Sequence, residues 1–418
     1  MLVQETLKTW QELLDIATPK ASVKWELRPG KSPSTVSIST HLDKITQGQK
    51  APVLLYRDTN AWCPFCERVW FALEEKEIPF NVELIDLRNK PKWYTDMVPT
   101  GLVPAVKIFG ELVYESKSIL LALEEKFSAL PLLPQEPAAK SIALEMIEAC
   151  DTGEFIQAGF QFLRGKPFTS NPQDEPEVDL DVLRTQFETQ LAQVEQALGQ
   201  YPGAYFLPEF SVVDIMYTPA LKRLDANLPL FRGYQLQGNE RFPNLQRWFN
   251  AIYQRPAYQK VKPDDKTNNL VMQKLFGLKP ISQGSQTVPQ TETTQTNEGR
   301  WEAAARLSDN HKIMSADILK NSGITAWTNP EASPMLEEYI DFYLKLVANY
   351  LVNENTALLF SKPVNKNEGE GVSIEAIGAI TLSYLRNRVC VPRDMSAGAA
   401  TALRSAIDTM LASLYSFT

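Results

Sequence analysis

Between residues 53 and 127 short apolar runs alternate with helical stripes, and beyond residue 134 the short runs stop. This change of period limits the fold of the chain more than any single residue does. Val53, Leu54, Leu55 and Tyr56 form an apolar run bounded by Pro52 and by Asp58-Thr59-Asn60, which predicts a buried strand. A helix is expected next, from the turn Cys63-Pro64-Phe65-Cys66 to about Lys76, because Cys66, Val69, Trp70 and Leu73 recur at i, i+3, i+4 and i+7. The pattern then predicts a strand over 81–85, a turn or short helix over 91–97, and a strand over 103–109. A Phe109-Gly110-Glu111 turn, a strand over 112–114 and a helix over 116–127 complete the run.

That order, β-α-β-α-β-β-α, is the order of a thioredoxin-like α/β domain, here spanning 51–130. From 134 to 276 strand signals vanish and an all-helical domain is expected. Leu183, Phe187, Leu191, Val194 and Leu198 mark one of its stripes. A second helix starts at Ser211, whose hydroxyl is spaced to cap the Asp214 amide while the Asp214 carboxylate returns to the Ser211 amide. Phe210 and Ile215 flank that box at the staple positions, and such capping contributes ~1 kcal/mol or more. Residues 283–298 hold one apolar side chain, Val288, and cannot offset their own ordering entropy by burial, so 277–298 reads as a flexible linker. Residues 299–418 return to amphipathic helices, expected over 301–319, 334–351, 374–385 and 396–415. Residues 1–50 read as an N-terminal extension with one short helical pattern: Leu7, Trp10, Leu13 and Leu14, then Ile16.

The totals narrow the function. A net charge of -8 provides no positive field for phosphate backbones, so no nucleic-acid partner is expected. Four cysteines in 418 residues are too few for a disulfide scaffold and fit a reducing, cytoplasmic compartment. No run is long enough to span a membrane, and the N-terminus lacks the pattern of a signal peptide. The chain has two histidines, His41 and His311, in different segments. Histidine-based triads and multi-histidine zinc sites would need one of them to reach across domains.

What remains is the thiol pair. A cysteine at a helix N-terminus faces unpaired backbone N–H groups and the positive end of the helix dipole, which favour thiolate. Cys63 holds that place, and Cys66 lies one turn on, where it can resolve a mixed disulfide. Pro64 supplies a fixed φ in the first turn and lacks an amide that would otherwise go unpaired. The alternatives are half of a zinc knuckle or two structural cysteines; Cys150, Cys390 and the histidines show no paired spacing, so no metal is expected.

Several motifs together resemble the glutathione transferases, and within them the omega-like thiol-transferase branch. They are CPFCER at 63–68, LRNKPKWY at 87–94, GLVPAV at 101–106, LVYES at 112–116, SVVD at 211–214 and RWFNAIYQRPAYQ at 247–259. The resemblance covers about residues 51–265 and implies a thioredoxin-like domain followed by an all-helical transferase domain, with glutathione as co-substrate. It implies that Cys63 forms a mixed disulfide with glutathione beside the ring of Phe65, and that Lys90 faces the glycine end. It further implies that the Val103 backbone pairs with the cysteinyl amide, an edge-strand interaction. Pro104 then corresponds to a cis-proline that leaves this edge free, and Glu115 and Ser116 to the pair that binds the γ-glutamyl group. Since the family is often dimeric, a homodimer is among the assemblies implied. The chain departs from the family at Cys66, where alanine or serine is usual, which leaves monothiol and dithiol routes open. The extension and the helical C-terminal module lie outside the common family architecture.

Each site residue also has a plainer reading: Lys90 as a surface charge, Glu115-Ser116 as a helix start, Val103-Pro104 as a strand beginning beside a turn. Cys150 and Cys390 read as buried structural thiols, and Trp301, Tyr339, Phe342 and Tyr343 as helix-packing aromatics. The expected function is a glutathione-dependent thiol transferase or reductase acting on a small-molecule or protein-disulfide substrate. The rivals are a non-catalytic binding or scaffold protein on the same fold and a conjugating transferase.

Overall fold

Strand alternation sorts the first run of the chain to two sides: Val53 and Leu55 enter the larger core, while Tyr56 joins a smaller one with Ile85, Tyr94, Val98 and Ala105. The computed structural model describes residues 7–21, 51–59, 61–167, 178–281, 297–327, 333–353 and 374–415. Most of the expected extension, and the expected linker apart from 277–281 and 297–298, lie outside these residues. In chain order the first elements are α1 (Trp10–Ala17), β1 (Val53–Asp58), α2 (Pro64–Glu75), β2 (Phe80–Ile85), α3 (Lys92–Met97), β3 (Ala105–Ile108), β4 (Glu111–Tyr114) and α4 (Ser116–Lys126). Helices α5 (Pro137–Thr152), α6 (Glu154–Arg164), α7 (Leu180–Leu198), α8 (Val212–Arg232), α9 (Pro243–Gln254), α10 (Pro256–Val261) and α11 (Asp265–Phe276) follow. The last are α12 (Asn297–Asn321), α13 (Ser333–Asn353), α14 (Ile374–Arg388) and α15 (Ala397–Tyr415). No helix among the described residues is long and apolar enough to cross a membrane.

The chain divides into two bodies, Lys31–Gln290 and a second one made of Met1–Gly30 with Thr291–Thr418. In the first, the strands form one sheet in the order β2-β1-β3-β4. β1 and β2 are parallel, as a crossover through α2 requires, and the β3–β4 hairpin closes the other edge antiparallel. This is the thioredoxin-like arrangement, joined to the helices α5 to α11. The strand expected over 103–109 begins two residues late, at Ala105, because Pro104 has no N–H to donate to a ladder. The Val103–Pro104 peptide bond is cis.

α2 differs from a simple amphipathic helix: residues 66–74 are all buried, Glu67, Arg68 and Glu74 included. It packs on the sheet with one side and against α4, α8 and α10 with others, so polar positions are enclosed along with the apolar stripe. α8 is the central helix of the helical domain and starts at the expected box. Ser211 Oγ accepts from the Val213 N–H at 3.2 Å, and Asp214 Oδ2 accepts from the Ser211 N–H at 2.9 Å. Asp214 also accepts from the indole N–H of Trp248 at 2.9 Å, fastening α9 to the start of α8.

In the second body α12 packs against α13 and α15, and α14 against both of those. The expected helices all appear, slightly longer than or within a residue of their expected bounds; Asn297 and Glu298, read as linker, already belong to α12. Tyr343 is buried in this core, with Trp301, Tyr339 and Phe342 packed partly against it. α1 also belongs here, so residues 10–17 are not an extension of the first body. Leu13 and Ala17 are fully buried in the core of the second. The Lys8 N–H donates to Asn349 Oδ1 at 2.9 Å, the Trp10 indole donates to Asp341 at 2.8 Å, and the Trp10 ring stacks on His311 at 4.4 Å. A Cβ at Gly299 would lie 2.7 Å from the Gly398 backbone, so glycine at position 299 lets α12 approach the start of α15 this closely.

Candidate active site

Cys63 is the N-cap of α2, between the last residue of the β1–α2 loop and Pro64 at the first helical position. Its Sγ lies 3.9 Å from the carbonyl oxygen of Val103, the residue before the cis bond. A hydrogen bond from the Cys66 thiol pulls the Cys63 thiol below its ordinary value, and the backbone amides of Cys66 and Phe65 pull the same way. Burial and the charge of Asp58 oppose them. The helix-end amides thus act as donors to a developing thiolate. Cys66, 2% exposed, goes the other way: burial pushes its thiol well up, with the hydrogen bond to Cys63 adding to the effect. One dithiol therefore has a half-exposed member poised to ionise and a buried member that keeps its proton.

The other expected residues fall around this pair. Phe65 is 46% exposed on the first turn of α2, its ring 5.2 Å from the Arg68 guanidinium carbon. Lys90 lies in the loop between β2 and α3, half-buried and with no ion-pair partner among the described residues. Val103 and Pro104 are buried before β3. Glu115 is the exposed N-cap of α4, at φ +68°, a left-handed conformation rarely adopted by a residue with a side chain. Ser116, the first residue of α4, is buried. The structure puts Cys63, Cys66 and Val103 in one place; for Lys90 and Glu115 it gives loop and cap positions with no mutual contact.

Sequence reasoning missed three residues. Arg68 is buried beneath the start of α4: it donates to Ser116 Oγ at 3.4 Å, to the Met216 carbonyl at 3.1 Å and to Cys150 Sγ at 3.6 Å. Its guanidinium lies 3.6 Å from Asp151, which also pairs with Lys117 at 3.0 Å. Arg68 sits inside the quoted CPFCER motif, yet nothing in the motif indicates partners 48 and 82 residues away. Arg223 of α8 reaches Glu67 at 2.7 Å and also donates to the Trp62 carbonyl, gripping the residue just before Cys63. The pair is fully enclosed, and burial holds the Glu67 carboxyl above its usual value despite Arg223.

The third is Asp58, at the end of β1, which the sequence marked only as a bound of the apolar run. It is 2% exposed, and its Oδ2 accepts from the Trp62 N–H at 2.9 Å. A carboxylate oxygen of Asp58 and the sulfurs of Cys63 and Cys66 lie within 4.8 Å of one another, close enough to share a proton or a small ion. Cys150 is a buried thiol whose value burial pushes up to about 11, so it is not poised to react. Cys390, expected to be buried, is half-exposed, with its N–H donating to Asp394 at 2.8 Å. The loop that carries it turns outward from its buried neighbours Val389 and Val391.

Residues 62–126 match the glutathione S-transferase N-terminal domain and residues 173–251 match the glutathione S-transferase C-terminal domain. Both matches fall within the first body. Glutathione S-transferase L3 of Arabidopsis thaliana is 29% identical over 222 residues, covering 52% of this chain and 86% of that protein. Glutathione S-transferase DHAR2 of the same plant is 27% identical over 201 residues, covering 48% and 84%. Protein IN2-1 homolog A of Oryza sativa subsp. japonica is 26% identical over 252 residues, covering 59% and 92%. Among solved structures, glutathione transferase Omega 3C from Trametes versicolor aligns with a TM-score of 0.43 at 23% identity, over 51% of this chain and 90% of that one.

Proposed function

We propose that the first body, built from the two glutathione S-transferase domains, is a glutathione-dependent thiol transferase or reductase working through a mixed disulfide at Cys63. The observation that carries the reading is the Cys63 sulfur at the N-cap of α2, its thiol lowered by Cys66 and the helix-end amides, facing Val103 at 3.9 Å. The relatives named as glutathione S-transferases, DHAR2 among them, support glutathione as the co-substrate.

In this reading the Cys63 thiolate attacks the glutathionyl sulfur of a disulfide R–S–S–G. The Cys63–SG bond forms, the RS–SG sulfur–sulfur bond breaks, and RS⁻ leaves to take a proton from solvent. A second glutathione thiolate then attacks the bound glutathionyl sulfur, releasing oxidised glutathione and restoring Cys63 thiolate. The Val103 backbone aligns the cysteinyl part of glutathione, Glu115 and Ser116 receive the γ-glutamyl end, and Lys90 meets the glycine carboxylate. Arg68 and Arg223 touch neither sulfur; they hold Ser116 and Trp62 in place. Substrates of this class are glutathionylated thiols and oxidised small molecules of the dehydroascorbate type.

The test is the mass of the Cys63-bearing peptide after incubation with oxidised glutathione. A gain of one disulfide-linked glutathione is expected, absent in Cys63→Ser; an unmodified peptide overturns the reading. One observation favours the rival, a binding or scaffold protein: the second body lies outside both domain matches. That rival predicts glutathione binding without Cys63-dependent reduction of a glutathionylated peptide.

A further inference from the structure

We infer that Asp58 is the proton acceptor that lets the buried thiol of Cys66 attack a glutathione disulfide at Cys63, so that this site runs a dithiol route. The inference rests on the mixed-disulfide reading above. It begins from a carboxylate with no evident reason to be where it is. Asp58 is nine-tenths buried and more, yet only one of its oxygens has a partner, the Trp62 N–H. Its Oδ1 is enclosed with no hydrogen-bond donor among the described residues. Such an oxygen gives up its water and gains no partner in return, so a merely structural role is a poor account of it. A carboxylate oxygen lies within 4.8 Å of both cysteine sulfurs, a gap closed by one side-chain rotation or one intervening water.

The chemistry needs such a group. Cys66 is enclosed, so its proton has no direct exit to solvent, and its thiol is the one that burial disfavours as thiolate. The neighbouring titratable groups are already committed. The Tyr94 hydroxyl donates to the Leu102 carbonyl at 2.6 Å, and Glu67 is paired with Arg223 at 2.7 Å. Arg57, beside Asp58 in β1, turns its guanidinium onto the Trp70 ring at 4.6 Å. In the step proposed, the Cys66 proton passes to the Asp58 carboxylate as Cys66 sulfur attacks Cys63 sulfur. The Cys63–Cys66 bond forms, the Cys63–SG bond breaks, and glutathione leaves as thiolate. The exchange consumes no further oxidant, since one disulfide replaces another. When glutathione later reduces the internal disulfide, the leaving Cys66 recovers its proton from Asp58.

The experiment follows one turnover. Reduced protein is mixed with oxidised glutathione, quenched in acid at intervals and weighed by mass spectrometry, which separates the glutathione adduct from the internal disulfide. In the wild type the adduct should form and then decay to the internal disulfide. In Asp58→Asn, which keeps the acceptor oxygen for Trp62, the adduct should form at least as fast, because a charge opposing Cys63 thiolate has gone. Its decay should be slower by about a hundredfold, the usual size of a lost general base. In a Cys66→Ser background, reduction of the adduct by added glutathione should be indifferent to Asp58→Asn. Decay at the wild-type rate in Asp58→Asn overturns the inference, as does an equal slowing of both variants' adducts. A wild type that forms no adduct overturns the mixed-disulfide reading itself, a result distinct from a failure of Asp58 alone. If Asp58→Asn does not fold, Asp58→Ser, whose hydroxyl can also accept from the Trp62 N–H, takes its place: the same slowing of adduct decay is expected, and decay at the wild-type rate overturns the inference.

Discussion

The first body buries Arg57, Asp58, Glu67, Arg68, Glu74, Lys76, Asp214, Lys222, Arg223 and Asp225, whereas among the described residues of the second only Glu302 is buried to that degree. Glu302 serves the helix start it faces, accepting from the Ser396 N–H at 2.9 Å and from the Ser396 hydroxyl at 2.5 Å, at the N-cap of α15. The rest of the second core is mostly Leu, Ile and Val, with Tyr343, Met395 and Met410 and a high share of alanine, Ala303 to Ala305 on α12 and Ala399, Ala400, Ala402 and Ala406 on α15. Buried charge is expensive and persists where geometry must be fixed; small apolar side chains make close helix packing without that expense. The contrast accords with the proposal that the chemistry lies in the first body.

The sharpest way to break the comparison is Cys63→Ser. Glutathione-dependent reduction of a glutathionylated peptide should fall by at least about a thousandfold, as loss of a nucleophile commonly does. Apolar substitutions in the second core should leave the turnover of folded protein unchanged. If turnover survives Cys63→Ser, buried charge in the first body has marked structure rather than chemistry.

Next in size is Arg223→Met, which leaves Glu67 charged and enclosed without its partner. A cost of about 4 kcal/mol in unfolding free energy is expected from such a broken pair. The Trp62 carbonyl also loses its donor, so Cys63 reactivity should drop in the protein that still folds, measured as alkylation rate at fixed pH. Arg223→Met with undiminished stability would mean that the pair makes no net contribution to the fold.

Leu13→Ala tests the second body. The side chain is fully enclosed and its loss should cost about 3 kcal/mol. Hydrogen exchange should speed up in α1, α12 and α13 and stay unchanged in α8, because the two cores do not share Leu13. Protection lost equally in α8 would make the two bodies one cooperative unit. Gly378→Ala is milder, about 2 kcal/mol by overpacking, since a Cβ there would lie 2.3 Å from the Tyr343 ring.

The two bodies also differ in how legible they are in the sequence. Local patterns show in both: the strand-helix alternation of β1 to α4, the Ser211–Asp214 box, and the four long C-terminal helices all follow from spacing within a dozen residues. Long-range pairings do not. Trp10 and Asp341 are 331 positions apart, and no periodicity in the N-terminal segment says which core will receive its apolar face. Asp58 and Arg68 are hidden differently. An aspartate after an apolar run is ordinarily a turn residue, and an arginine off a helix's apolar stripe is ordinarily solvated. Here the sheet, α4 and α8 enclose α2 on several sides, so tertiary packing turns both into interior groups. Glu115 has a legible position, before a helix, but its left-handed backbone follows from the β4-to-α4 corner rather than from the residue type.

The smallest effect concerns the sign of a pH dependence. Burial pushes the Asp214 carboxyl up to about 6 from an ordinary 3.8, against the pull of the Ser211, Trp248 and Phe206 donors. The folded state therefore holds this proton more tightly than the unfolded state between those values. The group's stabilising contribution is complete below about pH 4 and is lost as the pH rises through 6. Asp214→Asn removes the titration and retains one acceptor oxygen. The difference in unfolding free energy between wild type and Asp214→Asn should therefore shift against the wild type as pH rises from about 4 to 6. The slope is bounded by about 1.4 kcal/mol per pH unit for one proton, and the difference should level off above that range. A difference that moves in the wild type's favour would mean that the three donors outweigh burial. The box at the start of α8 would then be a charge held by its caps, and Asp214 would no longer distinguish the first body from the second.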